Sequence, residues 1–222
     1  MSFYRRIKYF LVHTLMLSNK AAQALIDSGQ VELDGKTVHE NCLISPHAQI
    51  KVNGVIQREA TQLVYLAFYK PAGFESTLNA GIEHNLSPFF KDFTSLAIAG
   101  RLDKQSEGLM LLSNDGKWVE QLCHPRFEKE KEYLVTLDKD ADAAFVAAFK
   151  SGVNIGDYVT RPCECSRVAT NTINVTLTEG KNRQIRRMCK ALGYAVLNLK
   201  RTRMGHVILG NLQPGELNVI KI

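Results

Sequence analysis

Long hydrophobic runs, a cysteine framework and metal-ligand spacings are all missing from this 222-residue chain. The apolar tract near the start, Tyr9 to Leu17, is broken by His13 and Thr14 and is too short to span a bilayer. No small-residue cleavage site follows it, so no secretory signal is read there. Five cysteines, Cys42, Cys123, Cys163, Cys165 and Cys189, are odd in number and irregular in spacing, which argues against disulfides. Cys163 and Cys165 have no second pair at zinc-finger spacing, so no metal is expected. Neither a solenoid-length repeat nor a low-complexity segment occurs. These absences point to a cytosolic protein that keeps off membranes.

What is present is an ordinary globular composition, 45% hydrophobic and 23% charged. A formal charge of +6 is compatible with a polyanionic partner. Residues 1–57 form one pattern. Ser18 can cap a helix whose Ala21, Ala22, Ala24 and Leu25 favour it, and Gly29 can end it. Val31 and Leu33 then alternate with polar residues, Asp34-Gly35 signals a hairpin turn, and a short strand follows in "QIKVNG", Gln49 to Gly54. After a polar link, "IQREATQ", residues 63–222 form a second pattern. The strand "LVYLAFYK" stops at Pro71-Ala72-Gly73. Further strands are expected near 96–102, 108–113, 131–138, 172–178, 195–203 and 217–222, with helices near 116–123, 140–151 and 182–192. Strands dominate and the helices are irregularly interspersed, so the expected fold class is α+β with a mainly antiparallel or mixed sheet.

Two stretches carry chemistry. In "LAIAGRLDKQSEGLMLLSNDG", Leu96 to Gly116, two apolar runs flank the charged pair Arg101 and Asp103. In "EGKNRQIRRMCKALG", Glu179 to Gly193, Asn182 can cap a helix and Gly193 can end it. Ile185, Met188, Cys189 and Leu192 share one face. Arg183, Arg186, Arg187 and Lys190 follow the same spacing two residues out of phase, about 200° around the helix. From Lys181 to Arg203 there are eight Lys or Arg and no acid. A stripe of one sign repels itself, and an anionic partner offsets that. The glycine-containing loop feeding the helix N-terminus favours phosphate.

With these residues in view, the chain resembles the RsuA/RluB/RluE/RluF family of rRNA pseudouridine synthases over essentially its whole length. The motifs that carry the resemblance are "KPAGFEST" (Lys70 to Thr77), "GRLDKQSEGLMLLSNDG" (Gly100 to Gly116), "KEYLV" (Lys131 to Val135) and "EGKNRQIRRM" (Glu179 to Met188). Ser106 stands where the family more often has Thr, which keeps a hydroxyl. Within the family, "RRMC", "KRTR" (Lys200 to Arg203) and "TRPC" (Thr160 to Cys163) are most like the RluF type. The N-terminal helix and hairpin look like the RNA-binding module first known from ribosomal protein S-four.

The resemblance implies a pseudouridine synthase fold preceded by that S-four-like module, and isomerisation of a uridine in ribosomal RNA without cofactor or metal. For the RluF type the substrate is large-subunit rRNA, with tRNA as a second target. The enzyme is expected as a monomer. Asp103 becomes the catalytic carboxylate, Arg186 the guanidinium that keeps it ionised, and Tyr133 the ring that stacks on the flipped uracil. Arg101 braces the gap left in the RNA. Arg183, Gln184, Arg187 and Lys190 contact RNA around the site. Arg5, Arg6, Lys8 and Lys20 do so from the N-terminal module.

The reaction breaks the base–sugar C–N bond, turns the uracil and rejoins it through C5, so no atoms are gained or lost. The base must leave its stack to be reached. Whether the carboxylate attacks or removes a proton stays open at this level. Two rivals remain. A non-catalytic rRNA-binding or ribosome-assembly protein would use the same basic surfaces. A glycoside hydrolase would need a second carboxylate, for which Glu107 and Asp115 are the candidates.

Overall fold

The computed structural model describes residues 5–222, with Arg5 described in its backbone only. The chain divides into two units between Leu63 and Val64. The first holds β1 (Arg5–Arg6), α1 (Ile7–His13), α2 (Asn19–Asp27), β2 (Val31–Leu33), β3 (Lys36–Val38), β4 (Leu43–Ile44), β5 (Ile50–Val52) and β6 (Val55–Arg58). Ser18 caps α2 by accepting from the Ala21 amide, and Gly29 leaves the helix at φ +68°. Asp34 and Gly35 both take positive φ, the geometry a two-residue hairpin requires, and join β2 to β3. An antiparallel sheet in the order β3-β2-β5-β6 results. Helix α1 forms inside the interrupted apolar tract, because Ile7, Phe10 and Leu11 recur at helical spacing and are buried with Ile26 and Ile50.

The second unit contains β7 (Tyr65–Lys70), β8 (Ala97–Ala99), β9 (Glu107–Ser113), α3 (Gly116–Cys123), β10 (Lys131–Leu137), α4 (Ala143–Ser151), β11 (Glu164–Ala169), β12 (Thr172–Leu177), α5 (Gln184–Ala191), β13 (Val196–Met204), β14 (Val207–Ile208) and β15 (Leu217–Val219). The main sheet runs β11-β12-β10-β13-β9-β7-β15, with β14 on β13 and β8 on β9. Among the described residues every pairing in it is antiparallel except β13 with β9, which are parallel through Lys200↔Glu107 and Arg201↔Gly108. This is the α+β, mainly antiparallel architecture expected.

Strands β7 and β9 are buried on both faces, which is why they read as continuous apolar runs. Leu66, Phe68, Met110 and Leu112 face one core with Leu86 and Phe90. Ala67, Tyr69, Leu109 and Leu111 face another under Trp118 and Leu122 of α3. A third core lies under α4 and α5, against β10, β11 and β12.

Three expected boundaries move. Helix α4 begins at Ala143, not near 140, because Asp142 Oδ1 accepts from the Phe145 amide and fixes the start. Helix α5 is entered through Arg183 in a left-handed conformation, φ +50°, and no side chain caps it, so Asn182 is not the cap. Strand β8 stops at Ala99. Gly100 turns the chain at φ +77°, and both the amide and the carbonyl of Leu102 bond the Ser76 hydroxyl instead of a neighbouring strand.

Candidate active site

Residues 100–106 leave β8 as a loop before β9 begins, and Asp103 lies in that loop. Four contacts hold it. The Lys70 ammonium, at the end of β7 and fully buried, donates to the carbonyls of Pro71 (2.8 Å), Ser106 (2.7 Å) and Lys104 (3.3 Å). The Gly73 amide donates to Lys104 O, the Ser106 amide to Asp103 O, and Ser76 Oγ grips Leu102. "KPAGFEST" and "GRLD", joined by bonds such as that between Ser76 and Leu102, 26 residues apart, are thus one structural unit. Its role as a mount was invisible in the sequence, although a lysine ending a buried strand was the available signal.

Burial lowers the Lys70 pKa from its ordinary 10.5 to about 8, opposed by Glu75, Asp103 and Glu107. The unfolded chain therefore binds more protons than the folded one between about pH 8 and 10.5, and folding gains stability as pH rises through that window. Below it the burial penalty is present in full. Lys70→Met lacks this titration and leaves three carbonyls without their donor. Thermal melts from pH 8 to 10 should show the wild type gaining on the variant. A stability gap that stays constant with pH would remove the buried ammonium from this account.

Helix α5 brings two guanidiniums to the carboxylate. Arg183 Nη1 lies 3.7 Å and Arg186 Nε 3.8 Å from Asp103 Oδ2. These distances give charge contact without a hydrogen bond, and Arg186 Nε, buried, has no hydrogen-bond partner. Catalytic contacts of this length commonly tighten when substrate arrives. Arg186 also donates to Val196 O (3.2 Å), Ser106 Oγ (3.2 Å) and Gln105 O (3.4 Å), so it ties α5 to the Asp103 loop. Burial, and then Arg183, lower its pKa, and Asp103 raises it. Its side chain is 12% exposed against 46% for Arg183. Arg186 belongs to the basic stripe by spacing and was expected beside Asp103 by resemblance; its side chain lies at the site. Arg183, expected only at RNA, is the second cation on Asp103.

The other members of the stripe separate. Lys190 is exposed. Arg187 pairs with Asp157 and donates to Ile155 O at 2.7 Å, so it anchors the 155–157 loop. Gln184 is 4% exposed and is among the residues lining the cavity over Asp103. Its amide donates to Glu179 Oε1 (2.5 Å) and its carbonyl accepts from the Lys181 amide (2.9 Å), closing the loop that presents Arg183. Arg201 is 1% exposed, donating to Leu109 O and Gly100 O. Arg203 pairs with Glu130 and Glu132.

A cavity of about 330 Å³ opens over Asp103. Tyr133 of β10, Arg101, Ser106, Ile185, Leu199 and Arg201 help line it. Tyr133 is half-buried and packs on two of the cores. Arg101 is exposed and borders this cavity and a second groove beside Ser76, Thr77 and Asn182. Asp103 borders both as well.

The only other carboxylate on the cavity among the described residues is Glu179. It accepts from Tyr158 Oη (2.8 Å), the Arg161 amide (3.1 Å) and Gln184. Glu107 accepts from Tyr69 and Asn198, and Asp115 caps α3. The carboxylates that a glycoside hydrolase would draw on are thus held in structural bonds.

In the N-terminal unit, Arg6 and Lys20 are exposed. Arg6 donates to Asn41 O and Lys8 to Gln23 Oε1. The side chain of Arg5 lies outside the described residues.

Comparison with known proteins gives one consistent family. A model of the RNA pseudouridylate synthase family matches residues 64–191. The dual-specificity RNA pseudouridine synthase RluF of Escherichia coli K12 is 37% identical over 213 residues, covering 95% of this chain and 73% of that protein. The ribosomal large subunit pseudouridine synthase B of Bacillus subtilis is 31% identical over 221 residues, covering 95% and 90%. A crystal structure of a pseudouridylate synthase superposes with a TM-score of 0.67 at 27% identity, covering 97% of this chain and 96% of that one.

Proposed function

The chain belongs to the RNA pseudouridylate synthase family, in the RsuA/RluB/RluE/RluF group, and from that premise we propose that it isomerises a specific uridine of large-subunit ribosomal RNA. The observation that carries the chemistry is one carboxylate, Asp103, set between two guanidiniums at the edge of a cavity that also holds Tyr133. Arg183 and Arg186 bring two positive charges to that one carboxylate.

In this reading the uridine leaves its stack and enters the cavity, and Arg101 fills the space it vacates. Asp103 engages the sugar–base junction and Tyr133 stacks on the detached uracil while it turns. Arg186 faces the carboxylate and ties α5 to its loop. No cofactor is assigned, since the rearrangement exchanges no atoms with a co-substrate. Lys190 and Arg183 contact the phosphates outside. The N-terminal unit acts as an S-four-like RNA-binding module, using Arg6 and Lys20. The enzyme acts as a monomer in this reading, and five free thiols suit the cytoplasm. A purely RNA-binding protein would leave this ion-paired carboxylate without a task.

Purified protein incubated with unmodified large-subunit rRNA, without metal or cofactor, should form pseudouridine at one or a few uridines. Mapping the modified positions reads the result. A parallel incubation with unmodified tRNA tests the second substrate that the RluF-type resemblance implies. No pseudouridine in either RNA would overturn the assignment.

A further inference from the structure

We propose that Lys131 and Arg201 form a subsite for an RNA phosphodiester on the floor of the cavity beside Tyr133. The proposal rests on the RNA-isomerase reading and adds a binding element to it. In the sheet, Tyr133 stands opposite Arg201 on β13, and Lys131 lies two residues before Tyr133 on β10, hence on the same face. Lys131, Tyr133 and Arg201 all line the cavity.

Neither cation has a carboxylate within ion-pair distance among the described residues. Lys131 Nζ donates to Lys129 O at 2.9 Å, and Arg201 makes its bonds to the carbonyls of Leu109 and Gly100. The two acids on the cavity are already committed, Asp103 to Arg183 and Arg186, and Glu179 to Tyr158, Gln184 and the Arg161 amide. Burial and then repulsion from Arg201 lower the Lys131 pKa. The neighbouring Cys123 opposes that lowering, and burial pushes its own thiol upward.

Lys70 makes the contrast. It is buried as Arg201 is, but three carbonyls surround it, three carboxylates attract it, and it is absent from the cavity lining. In the free protein Lys131 and Arg201 have carbonyl oxygens as hydrogen-bond partners and no carboxylate, so their charge is only partly offset. An anion entering the cavity would offset it. Given an RNA substrate, that anion is a backbone phosphate at or next to the flipped uridine.

The test compares Asp103→Asn with Asp103→Asn/Lys131→Met, so that binding is read without turnover. Methionine keeps the packed stem and removes the charge. Filter binding to unmodified large-subunit rRNA transcript is measured over a salt series, and each free protein is melted. The subsite predicts a free variant at least as stable as its parent. It also predicts affinity lower by roughly fivefold to tenfold near 50 mM salt, and a log–log salt slope shallower by about 0.7. An unchanged slope and affinity, or a melting temperature several degrees lower, overturns the subsite while leaving the parent reading intact. A wild type that makes no pseudouridine overturns both.

Discussion

Asp103→Asn is expected to reduce pseudouridine formation by roughly a thousandfold or more while RNA binding is kept. Asparagine preserves the volume of the side chain and removes its charge. It can neither attack the sugar nor take a proton, so no slower version of the same step remains. The loop itself should hold, because Lys70, Ser76 and Gly73 fix it through backbone groups of residues 102, 104 and 106 and not through the carboxylate. Arg183 and Arg186 lose their shared anion and are left facing each other. RNA affinity should therefore stay level or rise slightly, since two cations are freed for phosphate. Single-turnover assays and binding isotherms on the same preparation separate these effects. Undiminished isomerisation would move the chemistry away from Asp103. Lost binding together with lost activity would mean that the carboxylate organises the site instead of reacting in it.

Gly108→Ala is expected to cost about 3–5 kcal/mol of stability and to lower the melting temperature by roughly 10 °C. Gly108 has φ +103°, which an L-residue adopts only with strain. A Cβ there would collide with the backbone of Arg201, lying 2.7 Å from its amide nitrogen and nearer still to its carbonyl oxygen. Backbone cannot swing aside as a flexible side chain can. The collision falls on the parallel pairing of β9 with β13, which joins the β11-β12-β10-β13 part of the sheet to the β9-β7-β15 part. Asp103 hangs from the β9 side of that joint. Tyr133 is on the other side, and α5, with Arg183 and Arg186, leads into β13. Activity should fall further than the residual folded fraction explains, because the two halves of the site are aligned across this seam. A variant melting within about 2 °C of the wild type would show that the joint tolerates separation.

The motif-bearing segments were legible because each is locally overdetermined. "GRLD" sits between apolar runs, and "EGKNRQIRRM" has an amphipathic period and a one-sign stripe. What local pattern misassigned was direction. Helical spacing places Arg186 and Arg187 among outward cations. Packing instead turns Arg186 toward the Asp103 loop and gives Arg187 to Asp157. Gln184 looked like a polar reach toward RNA; its bond to Glu179 also makes it a brace for the loop before α5. Helix α1 was hidden by polar interruptions that lie on its solvent side.

By itself the sequence determined the α+β class and the cores of β7 and β9, and it singled out Asp103 and Arg186, which the structure sets 3.8 Å apart. Alternation and helical period are properties of neighbouring residues, and the motifs keep their chemistry wherever the chain carries them. Only the tertiary structure decided that Arg183 shares Asp103, that Lys70 mounts the loop, and that Lys131 and Arg201 meet on the cavity floor without an anion. Those facts depend on pairs of residues that are 34 to 80 positions apart in the bonds that set them. Charge burial and repulsion take effect only when the sheet brings such residues together.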